Sequence, residues 1–267
     1  MTTPPESVVA FADRLCAELT RVSTRLDAAY LHGSAALGGW VPALSDVDLL
    51  LITSDDITSA ELEALARALV DTSGHCPGRG LECSAVTLSQ AAEPAPPWPF
   101  LLHVATGPDE PGGHRVVHGC AGTGDTDLLM HYAVCRAGGW PVRGPAAPEL
   151  IGAVPRPAVL AYLADELRWG LDHAPEAYAV LNACRAAIFL THGQIVSKIA
   201  GGESALRTGS GPADVIGRAL AQQRGLETGH TAGPDAAAFV LDVAQALRAA
   251  ADAGKRERSD RGPRCQR

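Results

Sequence analysis

Apolar positions recur at helical spacing over residues 6–22, where Val8, Val9, Phe11, Ala12, Leu15 and Leu19 fall on one side of a helix. The period then changes. Ala28-Ala29-Tyr30-Leu31 reads as a short strand running into His32-Gly33-Ser34, and a small helix over 35–37 is stopped by Gly38-Gly39. Residues 46–52 form a second strand, whose Leu49-Leu50-Leu51-Ile52 run is apolar enough to be covered on both faces. A helix is expected over 58–70 and another long strand over 80–88. Strands alternating with helices predict an α/β domain over residues 1–120.

Residues 91–124 are rich in Pro and Gly and read as irregular, with one more strand at 115–117. Beyond them the period is helical. The expected helices are 125–138, 156–171, 176–193, 212–223 and 235–253. Pro155, Pro157, Pro175, Pro212 and Pro234 stand near their starts, where a missing N–H leaves no helical bond unmade. This gives an all-α helical bundle over residues 121–253. Residues 254–267 are basic and poor in apolar side chains, which predicts a disordered tail.

Composition narrows the partners. Of the 267 residues, 46% are hydrophobic and 19% charged, enough apolar material for a sizeable core. Thirty acidic residues against 22 basic ones give a net charge of -8, which argues against a nucleic-acid duplex as the main partner. No apolar run reaches the roughly 18 residues that cross a bilayer. The N-terminus, Met1-Thr2-Thr3-Pro4-Pro5-Glu6-Ser7, lacks the basic start and apolar core of a secretory signal. A cytoplasmic protein with no membrane partner is expected. The seven cysteines form no Cys-x-x-Cys pair and read as reduced, mostly buried small hydrophobes.

The chemistry is concentrated in Gly33-Ser34 and, eleven residues on, Asp46-Val47-Asp48. On a strand, side chains at i and i+2 share a face about 7 Å apart by backbone rise. Two carboxylates facing one way at the head of a buried strand call for a compensating cation. Mg²⁺ is suited, being oxygen-loving and commonly bound by one or two carboxylates plus substrate phosphates. Gly33-Ser34, where a strand turns into a helix, offers backbone N–H groups and a hydroxyl to phosphate oxygens. Alone, an Asp-x-Asp is usually a solvated turn and a Gly-Ser a helix cap. In the order strand, Gly-Ser, short helix, Asp-x-Asp, apolar strand, they point to a nucleotidyltransferase-type site.

At these residues the chain resembles the nucleotidyltransferase superfamily and, more narrowly, the aminoglycoside 3''-/9-adenylyltransferases, which modify streptomycin and spectinomycin. The resemblance is carried by Tyr30-Leu31-His32-Gly33-Ser34-Ala35 through Ser45-Asp46-Val47-Asp48-Leu49-Leu50. It resumes at Gly80-Leu81-Glu82-Cys83-Ser84, Gly144-Pro145-Ala146-Ala147, Leu181-Asn182-Ala183-Cys184-Arg185 and Gly193-Gln194-Ile195-Val196-Ser197-Lys198. It implies a small mixed sheet flanked by helices, followed by the helical domain. The implied reaction is ATP- and Mg²⁺-dependent transfer of AMP to a hydroxyl of an aminoglycoside or aminocyclitol, releasing pyrophosphate and giving antibiotic resistance. By the same resemblance Ser34 binds nucleotide phosphate and Ser45 supports the site. Asp46 and Asp48 hold Mg²⁺, in a two-metal arrangement with ions roughly 3.5–4 Å apart. Glu82 falls at the catalytic base, Arg185 and Lys198 at the ATP phosphates, and Trp169 and Asp172 at the streptomycin contact. No partner chain is implied, so a monomer is expected.

Taken singly, these residues have plainer readings. Glu82 reads also as an exposed strand-edge acid, Lys198 as a solvated helix end, Arg185 as an ion-pair partner and Trp169 as core. The chain departs from the family in a shortened segment between Trp169 and Arg185 and in the Pro-rich stretch 94–99. Two other functions stay open: a nucleotidyltransferase acting on an endogenous metabolite or protein, and a non-catalytic nucleotide-sensing module.

Overall fold

The computed structural model describes residues 2–228 and 232–260. The chain divides into two compact units, Met1–Val154 and Pro155–Arg267. The first is built from α1 (Glu6–Val22), β1 (Leu26–Leu31), α2 (Gly33–Ala36), β2 (Val47–Thr53), α3 (Ser59–Ser73), β3 (Leu81–Thr87), α4 (Leu88–Ala92), β4 (Leu102–Thr106), β5 (His114–His118), α5 (Leu128–Gly138), β6 (Trp140–Arg143) and α6 (Ala147–Leu150). Its strands form one sheet in the order β5-β4-β3-β2-β1-β6. The β2–β3 pair is parallel and the remaining pairs are antiparallel. This is the mixed sheet with flanking helices that the sequence led us to expect.

Local chemistry sets the boundaries. Thr58 starts α3 with a capping box: its hydroxyl accepts the Glu61 N–H, and the Glu61 carboxylate accepts the Thr58 N–H. Thr87 and Gln90 do the same for α4. Side chains alternate across the sheet. Val47, Leu49, Leu51, Leu81, Cys83, Leu102 and Val104 pack on one face against Phe11, Leu15 and Leu19 of α1 and Leu65 and Leu69 of α3. Each such side chain is worth about 1.5–3 kcal/mol when fully buried. The alternate positions, Asp48, Glu82, Ser84 and His103, belong to the opposite face.

Two strands lie outside the expected pattern. β4 sits inside the Pro- and Gly-rich stretch that reads as irregular, yet it pairs with both β3 and β5. β6 hydrogen-bonds to β1, which draws residues 121–154 into the first unit and places the division after Val154 instead of after residue 120. A strand of four residues, Trp140–Arg143, is too short to show a period in the sequence.

The second unit is helical: α7 (Arg156–His173), α8 (Glu176–His192), α9 (Lys198–Thr208), α10 (Ala213–Gln223) and α11 (Pro234–Asp260). Pro155, Pro175 and Pro212 are the residues just before α7, α8 and α10, and Pro157 lies in the first turn of α7. Helix α9 corrects one expectation. Gly201-Gly202 lies inside it and is buried, although α9 is not among the helices expected from the sequence. A Cβ at Gly201 would stand 2.9 Å from the Arg185 backbone nitrogen, and one at Gly202 2.7 Å from Leu181, so the glycines let α9 seat against α8. A second correction concerns the tail: α11 continues to Asp260, so residues 254–260 are helical, and 261–267 lie outside the described residues.

Cys16, Cys83, Cys135 and Cys184 are buried and unbridged, as expected, whereas Cys120 is exposed; Cys265 lies outside the described residues. Among the described residues no helix is long and apolar enough to cross a membrane.

Candidate active site

The polar end of the sheet assembles from three neighbouring segments. β1 ends at Leu31, and the His32 N–H donates to the Asp48 carbonyl at 3.0 Å, which locks the start of α2 to β2. Gly33 then adopts φ +58°, a left-handed conformation in which glycine carries no penalty. A Cβ at Gly33 would fall 1.8 Å from Asp48 Oδ2, so the glycine opens the space that the Asp48 carboxylate fills. Ser34 follows in the first turn of α2. Its Oγ is shut off from solvent and has no hydrogen-bond partner among the described residues. A buried hydroxyl without a partner has its hydrogen-bonding capacity left for water or a ligand.

Ser45 is buried, and its Oγ accepts the Val41 N–H at 3.0 Å while its carbonyl accepts the Arg79 N–H at 2.9 Å. These bonds fix the chain that leads into Asp46 and β2. In the parallel β2–β3 pair Asp48 stands in register with Glu82, so their side chains share a face. Asp46 and Glu82 also line one cavity of about 150 Å³, with Arg79, Thr106, Asp109 and Arg115 around it. Arg79 is ion-paired with Asp109, and Arg115 with Glu110 at 3.2 Å, so loop carboxylates hold both guanidinium groups. Ser34, Ser45, Asp46, Asp48 and Glu82 are thus gathered at one end of one sheet.

Glu82 is not an exposed edge acid. β3 is an internal strand, and burial raises the Glu82 carboxyl above its ordinary range, opposed by His103 and reinforced by Asp46, Asp127 and Asp125. A carboxyl of raised pKa in a polar pocket is suited to accept a proton. His103 bridges to Ser84, with Oγ and Nδ1 3.0 Å apart, and burial holds its imidazole below the usual range. The His32 and His131 rings meet at a tilt of 41° with centroids 4.7 Å apart; burial, and then the neighbouring His131, keep His32 well below its usual pKa. His103, Asp125, Asp127 and His131 surround the candidate site and are residues that the sequence does not single out. His103 lies on β4, inside the Pro- and Gly-rich stretch that reads as irregular, although Leu102-His103-Val104-Ala105-Thr106 carries a strand composition.

The donor set fits Mg²⁺. Asp46 and Asp48 offer anionic oxygens, and the further acids around Glu82 leave negative charge that a cation would offset. Among the described residues no three His, Cys, Asp or Glu side chains form a cage by themselves. Mg²⁺ commonly takes only one or two carboxylates and completes its shell with phosphate oxygens and water.

The other expected residues belong to the helical unit. Trp169 and Asp172 lie in the last turn of α7, both exposed. The indole stacks on His173 at 5.3 Å with planes 10° apart and meets the Tyr178 ring edge-on at 6.1 Å. Lys198 is the first residue of α9, and its Nζ sits 5.0 Å from the centroid of Tyr178. Arg185, half-buried on α8, has its backbone against Gly201, one turn along from Lys198. Trp169 is therefore not core, and Tyr178 joins the residues that sequence reasoning passed over.

Residues 149–248 match the family model described as the aminoglycoside adenylyltransferase C-terminal domain. No curated protein matches the chain. Among solved structures, the chain is similar to a spectinomycin adenyltransferase, AAD(9) from Enterococcus faecialis, determined with ATP and spectinomycin. The TM-score is 0.66 and the identity 17%, over 89% of this chain and 98% of that one. At that identity the likeness establishes the fold.

Proposed function

We propose that this chain, whose residues 149–248 match the aminoglycoside adenylyltransferase C-terminal domain and whose fold is like that of a spectinomycin adenyltransferase, transfers AMP from ATP to a hydroxyl of an aminoglycoside or aminocyclitol. Streptomycin and spectinomycin are the acceptors this reading favours, with pyrophosphate as the other product and antibiotic resistance as the consequence. The observation that carries the chemistry is the Asp46–Asp48–Glu82 constellation beside Gly33-Ser34.

In this reading the acceptor oxygen attacks the α-phosphorus of ATP. Its proton passes to the Glu82 carboxylate, whose raised pKa suits it to receive one. A bond forms between acceptor oxygen and phosphorus, and the bond from phosphorus to the oxygen bridging the α- and β-phosphates breaks. Ser34 and the backbone N–H groups opening α2 hold phosphate oxygens. Asp46 and Asp48 would hold Mg²⁺, in a two-ion site by the family resemblance, with Ser45 bracing the segment that presents them. The ion, when bound, shields phosphate charge and orients the reacting group.

By the family resemblance Arg185 and Lys198 are ligands of the ATP phosphates. Lys198 stands at the N-terminus of α9, where the positive end of the helix and the ammonium favour the same anion. They neutralise the charge that builds on the departing pyrophosphate. Trp169 and Asp172 are the acceptor contacts: an aromatic face and an exposed carboxylate suit a guanidinium or ammonium.

The test is incubation with ATP, Mg²⁺ and a panel of aminoglycosides and aminocyclitols, read by mass spectrometry for a single added AMP. Transfer to streptomycin or spectinomycin is expected. ATP consumption without transfer to any drug would overturn the acceptor and leave the chemistry. An inert protein that binds nucleotide would overturn both.

A further inference from the structure

Tyr178 has no role in the chemistry described above, yet four groups converge on it. Its hydroxyl donates to Glu166 Oε1 on α7. Its ring takes the edge of Trp169 and lies against Gly170, where a Cβ would come within 3.3 Å of Tyr178 Cδ1. The Lys198 ammonium sits over the ring, 5.0 Å from its centroid. The phenol ring is thus fixed to α7 through three neighbouring positions, Glu166, Trp169 and Gly170, and presents a face to the first residue of α9.

We propose that Tyr178 is a positioning residue that holds the Lys198 ammonium ready for the phosphates of ATP. The inference rests on the reading of Lys198 as a phosphate ligand. A lysine carries a four-carbon stem with much rotamer freedom, so a phosphate must order it unless something has done so already. The N-terminus of α9 repels its charge, so the helix does nothing to keep it there. The face of an aromatic ring attracts a cation within about 6 Å, and a hydrogen bond from the phenol to a carboxylate raises the electron density of that face.

The experiment measures Mg-ATP affinity by calorimetry for Tyr178→Leu, Tyr178→Phe, Lys198→Met and the double variant Tyr178→Leu/Lys198→Met, with thermal unfolding run in parallel. Tyr178→Leu should weaken ATP about 3- to 30-fold, the range that a cation–π contact spans. Tyr178→Phe should restore most of it, and Tyr178→Leu should add nothing in the Lys198→Met background. If Tyr178→Leu does not fold, pentafluorophenylalanine at 178, which keeps the ring shape and reverses its quadrupole, replaces it in the comparison with Phe.

Unchanged affinity in Tyr178→Leu, with Lys198→Met weakened, would overturn the positioning role and leave the phosphate role intact. An equal loss with and without Lys198 would make Tyr178 a packing residue and overturn the inference. Unchanged affinity in Lys198→Met would overturn the phosphate assignment itself.

Discussion

Gly33→Ala distinguishes a phosphate cradle from an ordinary strand-to-helix turn. The added Cβ would lie 1.8 Å from Asp48 Oδ2 and 2.6 Å from Asp48 Cγ. Restoring a 3.0 Å separation requires a shift of about 1.2 Å, that is 3.0 less 1.8, and the carboxylate is the freer party because the Gly33 backbone is held by β1 and α2. A displacement on the order of 1 Å at a reacting centre costs about 10²-fold in rate. The backbone adds its own penalty: at φ +58° an alanine is about 1–2 kcal/mol worse than glycine, which lowers Tm by about 2–8 °C in a domain of this size. Gly38→Ala is the control. It has φ +74° and the same left-handed strain, but its Cβ meets only the Thr2 side chain, at 3.0 Å. Pyrophosphate release with saturating acceptor, measured beside thermal unfolding, should show similar losses of Tm for both variants and a loss of about 10²-fold in transfer for Gly33→Ala alone. Equal losses of transfer in both would assign the effect to backbone strain. Transfer within threefold of wild type in Gly33→Ala would refute the claim that Asp48 must occupy that space.

Asp46→Asn and Asp48→Asn keep the side-chain size and remove one anionic ligand each; transfer should fall at least 10²-fold, with a higher Mg²⁺ requirement, and near-normal turnover would remove them from the mechanism. Glu82→Gln should keep ordinary Mg-ATP affinity and lose about 10²–10⁴-fold in rate. The wild-type kcat/KM should decline as pH falls through a Glu82 pKa raised above the usual carboxylate value, because the base works only as the anion; Glu82→Gln should lack that acidic limb, and a limb that persists belongs to another group. Trp169→Ala and Asp172→Asn should each lower modification of streptomycin, which bears two guanidinium groups, by roughly ten- to a hundredfold and spare spectinomycin, the worth of one charge-assisted contact. Equal losses on both drugs would assign the pair a general packing role.

Elements with a strong period or punctuation could be read from the sequence. α1, β2, β3, α3 and the helices introduced by Pro155, Pro175 and Pro212 were expected within a few residues. The elements missed are those whose identity is decided by a distant partner. β4 follows a run of prolines and is a strand because β3 and β5 flank it; β6 has four residues and depends on β1. Gly201 and Gly202 are poor helix formers taken singly, and become helix because α8 approaches too closely for any larger residue. In each case tertiary contact overrides local preference, and the domain division moved to Val154 for the same reason.

The site divides along the same line. The candidate residues of the first unit could be named from the sequence because motif order fixes them: a Gly-Ser at a strand end and an Asp-x-Asp at the next strand start must meet if the two strands are neighbours, and β1 and β2 are. What a side chain does once it is there depends on surroundings that come from elsewhere in the chain. The Glu82 carboxyl is raised by burial on an internal strand, modulated by His103 of β4 and by Asp127 and Asp125 just before α5. These lie more than twenty residues away along the chain. Lys198 likewise shows only as a rare lysine in the sequence, whereas its setting is made by Tyr178, and that of Tyr178 by Glu166 and Trp169 on another helix. A motif specifies which groups meet; the dielectric and charge that tune them follow only from the packed fold.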